Sequence, residues 1–290
     1  MVIFDQNLAQ FKKKQYFCGM KQKLIQILVW LGLLFVGTVV SVMLWTLLFH
    51  GSTSVGAQKW LQFFSVIGTF LIPPIVCAYL WDADHRADRW LQMDRGTDWR
   101  HFVMAIGIMI VALPAINLFA YLNSLIPMPQ SAIDAEGNAD ALLKAFLDTN
   151  SVSGVLVNLG LLALLPALAE EMTFRGVLQQ VMSGERLSVS GYRKHIAIWV
   201  TAIVFSAIHM QFLGFIPRML MGALFGYMFV WTGTLWIPIV MHFTNNAIGI
   251  LLYNSNADTM GAGDTIYVGV ISLIITCLGL LIFYRRTHKQ

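Results

Sequence analysis

Residues 152–182, VSGVLVNLGLLALLPALAEEMTFRGVLQQVM, form an apolar run long enough to cross a bilayer, yet they carry Glu170, Glu171 and Arg175. A span needs roughly 20 residues to cover about 30 Å of hydrocarbon. An ionisable group near its middle costs about 2.5–3.5 kcal/mol on insertion scales. A membrane helix that keeps three such groups has a use for them. This stretch therefore sets the class, a polytopic α-helical membrane protein, and shows where its chemistry is to be sought.

The rest of the chain agrees. Of 290 residues, 57% are hydrophobic and 12% charged, against about a quarter charged in a soluble domain. The mean hydropathy is +0.68. So few charges cannot cover a water-facing surface. The apolar runs define eight candidate spans: Leu24–Phe49, Trp60–Trp81, Phe102–Leu122, Val152–Met182, Ile196–Leu213, Arg218–Thr232, Leu235–Tyr253 and Ile266–Tyr284. The expected fold is all-α, about eight transmembrane helices around an intramembrane catalytic cavity. Residues 1–290 read as one transmembrane domain, with a motif-bearing core at about 152–253. The sixth span is short and reads as tilted or partly re-entrant. The first is too long for a signal-peptide core and no small-residue cleavage site follows it, so it reads as uncleaved. No internal repeat or low-complexity tract is present.

Net charge is +4, and its placement carries the information. Lys12, Lys13, Lys14, Lys21 and Lys23 precede the first span; Arg86, Arg89, Arg95 and Arg100 follow the second. Arg186, Arg193 and Lys194 follow the fourth, and Arg285, Arg286 and Lys289 the eighth. With eight spans all of these fall on one side, opposite Lys59, Lys144 and Arg218. The positive-inside rule then places both termini in the cytoplasm, and the basic loops suit a bacterial cytoplasmic membrane. Clusters spaced between apolar runs are topology signals and exclude a nucleic-acid patch. Cys77 and Cys277 lie in apolar runs and Cys18 in a basic segment, with no CxxC, so neither a disulfide framework nor a thiolate metal site is expected.

Two segments are not spans. Asp82 to His101 alternates acids and bases and reads as a solvated linker. Asp140 to Asp148 carries Leu142, Leu143, Phe146 and Leu147 at helical spacing, which predicts a short interfacial helix. It reads as an anchor, with a cover over a substrate entrance as the alternative. Gly222 and Gly226 form a small-xxx-small pair for close helix packing.

The polar residues of three spans converge in depth. Glu171 and Arg175 are four apart, with the acid first, and can neutralise each other. Glu170 points about 100° away and is left to face a cavity or another helix. Pro166, four residues before Glu170, removes an N–H and frees the Leu162 carbonyl. Glu170 and His209 lie at similar distances from the same membrane surface on consecutive antiparallel spans. His242 and Asn246 share one face of the seventh span, beside Asn245. A carboxylate near a histidine can activate water, and a second histidine with an amide can donate to an oxyanion. No serine or cysteine nucleophile is needed to hydrolyse a peptide bond. Taken alone, His209 or the His242–Asn246 pair reads equally well as a polar bridge between helices. Their joint depth favours a site.

Three motifs stand in order here: Glu170-Glu171-Met-Thr-Phe-Arg175 as EExxxR, Phe205-Ser-Ala-Ile-His209 as FxxxH, and His242-Phe-Thr-Asn-Asn246 as HxxxN. Together they resemble the CPBP family, which comprises CAAX prenyl endopeptidases of the Rce1 type and bacteriocin-processing or immunity-linked membrane proteins. The resemblance implies that Glu170 activates a water with help from His209, that His242 and Asn246 form the oxyanion site, and that Glu171 and Arg175 support them. It implies a peptide or protein substrate entering from the bilayer, prenylated or not. No cofactor is expected. Zinc on Glu170, His209 and His242 is the alternative, disfavoured because HExxH is absent. Two rival readings remain: a proton-coupled transporter, weakened by the lack of an inverted repeat, and a catalytically idle scaffold or immunity protein.

Overall fold

The computed structural model describes the backbone of residues 2–149, 151–184, 191–254 and 262–288, and side chains from residue 21 onward within these ranges except at 254 and 262. The side chains of Lys12, Lys13, Lys14 and Cys18, and residues Arg186 and Lys289, lie outside what is described. All regular structure among the described residues is helical. We number the helices α1 Val2–Phe49, α2 Val55–Trp81, α3 Ala87–Trp90, α4 Trp99–Ser124, α5 Gln130–Leu147, α6 Val152–Ser183, α7 Tyr192–Ala207, α8 Phe215–Thr232, α9 Trp236–Asn254 and α10 Ala262–Thr287.

Helix α6 is the axis of the fold. Every residue from 171 to 181 is buried, and a helix enclosed on all sides belongs at the centre of a bundle. Phe174, Val177 and Leu178 pack with Cys77 and Ala78 of α2, Phe205 of α7 and Phe229 of α8. Helix α1 crosses α2 closely: Ser41 Oγ donates to the Phe64 carbonyl at 2.8 Å, and Thr38 and Thr69 share a hydroxyl contact at 2.9 Å. Helices α4 and α10 form a second pair, joined where the Ala115 N–H donates to Ser272 Oγ at 3.1 Å. The apolar residues that α1 and α10 leave exposed, such as Phe35, Leu47, Ile274 and Leu278, suit a lipid surface.

Among the described residues, six helices are long and apolar enough to cross a membrane: α1 over Lys21–Phe49, α2, α4, α6, α8 and α10 over Gly263–Thr287. The two other spans read from the sequence are α7 and α9. Helix α7 has 16 residues and covers only about 24 Å at 1.5 Å per residue. Helix α9 has 19 residues, and His242, Asn245 and Asn246 lower its apolar character. Helix α9 carries His242, and His209 follows directly after α7. The sixth span begins earlier than expected, at Phe215.

Three local expectations are corrected. The segment 82–101 is no solvated linker. Leu91 is 1% exposed and Gln92 is fully buried, with Gln92 in a left-handed turn at φ 56°. Gln92 Nε2 donates to Gln180 Oε1 at 3.0 Å, and the Gln92 carbonyl accepts the Leu235 N–H at 3.2 Å. The loop thus seals the ends of α6 and α9. The amphipathic helix is also longer than the leucine spacing indicated, running over Gln130–Leu147. It is tied toward its middle and at its C-terminal end, by the Leu213 N–H donating to Glu136 Oε2 at 3.1 Å and by Asn158 Nδ2 donating to the Phe146 carbonyl at 2.8 Å. Finally, the fifth span stops at Ala207, so His209 lies in the turn beyond it.

Candidate functional site

Helix α6 is not a uniform α-helix. Its backbone widens to π geometry over Leu159–Leu164 and again over Met172–Gln179. Pro166 follows the first π stretch and has no N–H to give. The Leu162 carbonyl, expected to be freed by it, accepts Asn246 Nδ2 from α9 at 3.4 Å. The second π stretch begins directly after Glu171. Such bulges recur at functional sites because they re-aim side chains without ending the helix.

Glu171 and Arg175 are fully buried and paired, Arg175 Nη1 to Glu171 Oε1 at 2.8 Å. Arg175 Nη2 donates to the Gly222 carbonyl at 2.9 Å. Its guanidinium lies over the rings of Phe205 at 4.7 Å and Phe225 at 5.4 Å. Gly222 does more than permit packing. It presents the carbonyl that Arg175 needs, while a Cβ there would press on Ala202 and Phe205 at 3.2 Å.

Glu170 turns away, as the helical offset requires. Its side chain is 14% exposed, and Oε2 stands 4.0 Å from His209 Nε2 and 3.9 Å from His242 Nε2. Each histidine is oriented from its other nitrogen. His209 Nδ1 lies 2.8 Å from the Phe205 carbonyl, which can only accept, so Nδ1 carries a proton. His242 Nδ1 lies 2.8 Å from Glu171 Oε1, which also accepts. In the neutral imidazoles both Nε2 atoms are therefore acceptors, aimed at a third acceptor, Glu170 Oε2. Three acceptors around one point call for a shared donor, and a water molecule supplies two O–H groups.

The structure thus brings Glu170, His209 and His242 together. Asn246 sits one turn further along α9, with Nδ2 on Leu162 and Oδ1 accepting from Asn245 Nδ2 at 3.0 Å. Two features went unread in the sequence. His242 binds the supporting Glu171 as well as facing Glu170, so the supporting pair also orients a site histidine. Phe205 touches both histidines: its ring lies 5.2 Å from His209 and 5.9 Å from His242, with Phe174 behind it at 5.2 Å. Its place in FxxxH, one turn before His209, was the available signal. The donor types suit zinc, and Glu170 Oε2 stands 4.0 and 3.9 Å from the two imidazole nitrogens. Around a tetrahedral ion with bonds of about 2.0 Å, ligands stand about 3.3 Å apart. Among the described residues, no group of three or more His, Cys, Asp or Glu is arranged to hold a metal.

The central helix of this all-α membrane protein thus presents one carboxylate to two oriented imidazoles. Residues 152–248, about a third of the chain, match the Type II CAAX prenyl endopeptidase Rce1-like family, the same family type that the three motifs resemble. The chain is also 37% identical over 91 residues to the uncharacterized protein YpbD of Bacillus subtilis (strain 168); the match covers 30% of this chain and 41% of that protein. No solved structure matches.

Proposed function

We propose that this protein is an intramembrane endopeptidase that hydrolyses peptide bonds with a water activated by Glu170. The observation that carries the reading is the convergence of Glu170 Oε2 with His209 Nε2 and His242 Nε2, two oriented acceptors 4.0 and 3.9 Å from it. A water held about 2.8 Å from these atoms gives one proton to Glu170 as its oxygen attacks the carbonyl carbon. The C–N bond then breaks, and the protonated Glu170 returns the proton to the leaving amine. His209 shares the water and keeps its lone pair toward the scissile bond. Asn246, whose Nδ2 keeps a second N–H beyond the one given to the Leu162 carbonyl, stands on the α9 side to meet a developing oxyanion, and His242 joins it once its Nε2 is protonated. Glu171 and Arg175 fix His242.

The substrate class we propose is a membrane-borne peptide or protein, including C-terminal CAAX-type processing. An apolar groove of about 640 Å³ between α2 and α6 supports this. Trp60 and Phe63 line one wall and Leu161, Leu165 and Leu168 the other, on the helix that carries Glu170. Its lining suits a hydrocarbon chain. Purified protein should release a tripeptide from a farnesylated CAAX peptide, contain no stoichiometric zinc and survive chelation. No cleavage of prenylated or plain peptides would sink the protease reading. Activity that returns only with added zinc would overturn the metal-free mechanism.

We further propose that both termini face the cytoplasm of a bacterial cell, on the strength of the basic residues clustered after α2 and α10. Reporter fusions at Gly96 and Pro127, at opposite ends of α4, should report opposite compartments, with Gly96 cytoplasmic. The reverse assignment would refute the orientation.

A further inference from the structure

The turn between α7 and α8 is held more firmly than its length requires. Asn123 Nδ2 donates to the Phe212 carbonyl at 2.7 Å, and Asn123 Oδ1 accepts the Ile216 N–H at 3.1 Å. Glu136 takes the Leu213 N–H, and Ser206 Oγ donates to the Phe215 carbonyl at 2.7 Å. These bonds fix His209 at the start of the turn and Arg218 at its end, in the first turn of α8.

Arg218 is incompletely used. Nη2 donates to Gln211 Oε1 at 2.7 Å, while Nη1 is buried with no hydrogen-bond partner. Gln211 stands two residues after His209, so the Nη2 bond ties the guanidinium to the stretch that holds a site histidine. The guanidinium makes its charge felt at the carboxylates of Glu170 and Glu136. Among the described residues it forms no ion pair. Glu136 is committed to the backbone of the turn, and Glu170 faces the imidazoles. Arg175, by contrast, is neutralised by Glu171. A buried guanidinium N–H left unmade is costly, and a fixed, always-charged fork is the group best suited to carboxylates. The N-terminal end of α8 adds a favourable field for an anion.

We propose that Arg218 is an anion subsite of the active centre and takes a carboxylate of the substrate close to the scissile bond. The inference rests on the proteolytic reading above. The carboxylate belongs either to the substrate's C-terminus or to an acidic side chain near the cleaved bond, and the chemistry of capture is the same.

The test uses the full-length protein carrying Glu170→Gln, so that bound peptide is not consumed. The probe is a fluorescent tetrapeptide of S-farnesyl cysteine and three apolar residues, made as the free acid, as the C-terminal amide, and as the amide with Asp at its last position. With Arg218 present, the free acid should bind about ten- to a hundredfold more tightly than the plain amide. Arg218→Gln should bring that ratio to about one, and Arg218→Lys should keep part of it. A merely structural arginine would weaken acid and amide equally. Tight binding of the Asp amide assigns the carboxylate to a side chain; its failure assigns it to the chain end. Equal affinity for all three peptides with Arg218 present overturns the proposal, as does a ratio untouched by Arg218→Gln or no binding of any probe. If Arg218→Gln fails to fold, an undiminished ratio in Arg218→Lys overturns it instead. Acid-selective binding that depends on Arg218, without product release by the unmutated chain, leaves the subsite standing and refutes the protease reading.

Discussion

Glu170→Gln is expected to abolish peptide cleavage, lowering turnover by at least about 10²–10⁴-fold, the range for loss of a general base. The melting temperature in detergent should stay where it is. Gln keeps the size of Glu170 and the direction of its polar atoms but cannot accept the proton that attacking water gives up. The fold has little to lose, because the nearest side-chain partners of Glu170 Oε2 are imidazole nitrogens at 3.9 and 4.0 Å, beyond hydrogen-bond distance. Removing a charge from a site only 14% exposed also relieves a desolvation cost. The decisive quantity is turnover per folded molecule beside thermal melting. Wild-type turnover in the variant would show that Glu170 is not the base. Lost turnover accompanied by a large fall in melting temperature would mark it as a structural residue.

The site was legible wherever helical geometry alone decided it. The i, i+4 spacing gave the Glu171–Arg175 pair, and the offset of one residue separated Glu170 from it. Depth counting brought His209 to the level of Glu170 even though α7 ends before His209. Pro166 pointed to a free carbonyl on α6, and Asn246 occupies it. What could not be read depends on rotations of one helix against another. Spacing placed His242 and Asn246 on one face of α9, but not which imidazole nitrogen would meet which glutamate. Arg218 entered only as a charge at a span end, because nothing in a hydropathy pattern reveals that its turn folds back beside Glu170. The segment 82–101 misled for a different reason. Its charges resemble a solvated strap, but Asp82 is 2% exposed and caps the loop by accepting the Arg86 N–H at 3.2 Å and Arg89 Nη2 at 2.7 Å. Satisfying Asp82 internally lets the loop fold in, with Leu91 and Gln92 entering the core.

Glu171→Gln should act on stability and on turnover together, which distinguishes it from its neighbour. Oε1 of Glu171 accepts two charge-capable donors, Arg175 Nη1 and His242 Nδ1, both at 2.8 Å. The variant leaves the fully buried Arg175 with the Gly222 carbonyl and two aromatic faces. Breaking a buried ion pair from one side commonly costs about 3–5 kcal/mol, because the remaining charge is stranded. His242 meanwhile trades a carboxylate that can only accept for an amide that can also turn its NH₂ toward Nδ1, so Nε2 is less firmly held as an acceptor facing Glu170. The melting temperature should therefore fall clearly, and the molecules that remain folded should turn over more slowly. Arg175→Gln strands the acid instead, but leaves Glu171 to hold His242, so it should destabilise while sparing more turnover per folded molecule. Combining Glu171→Gln with Arg175→Gln removes both stranded charges. The double variant should melt above the sum of the single losses, with a coupling of about 0.5–3 kcal/mol, yet stay as slow as Glu171→Gln alone. Additive melting shifts would deny the pair its energetic role. Full turnover in folded Glu171→Gln would deny that Glu171 orients His242, and the imidazole would then owe its position to its packing between Phe205 and Phe225.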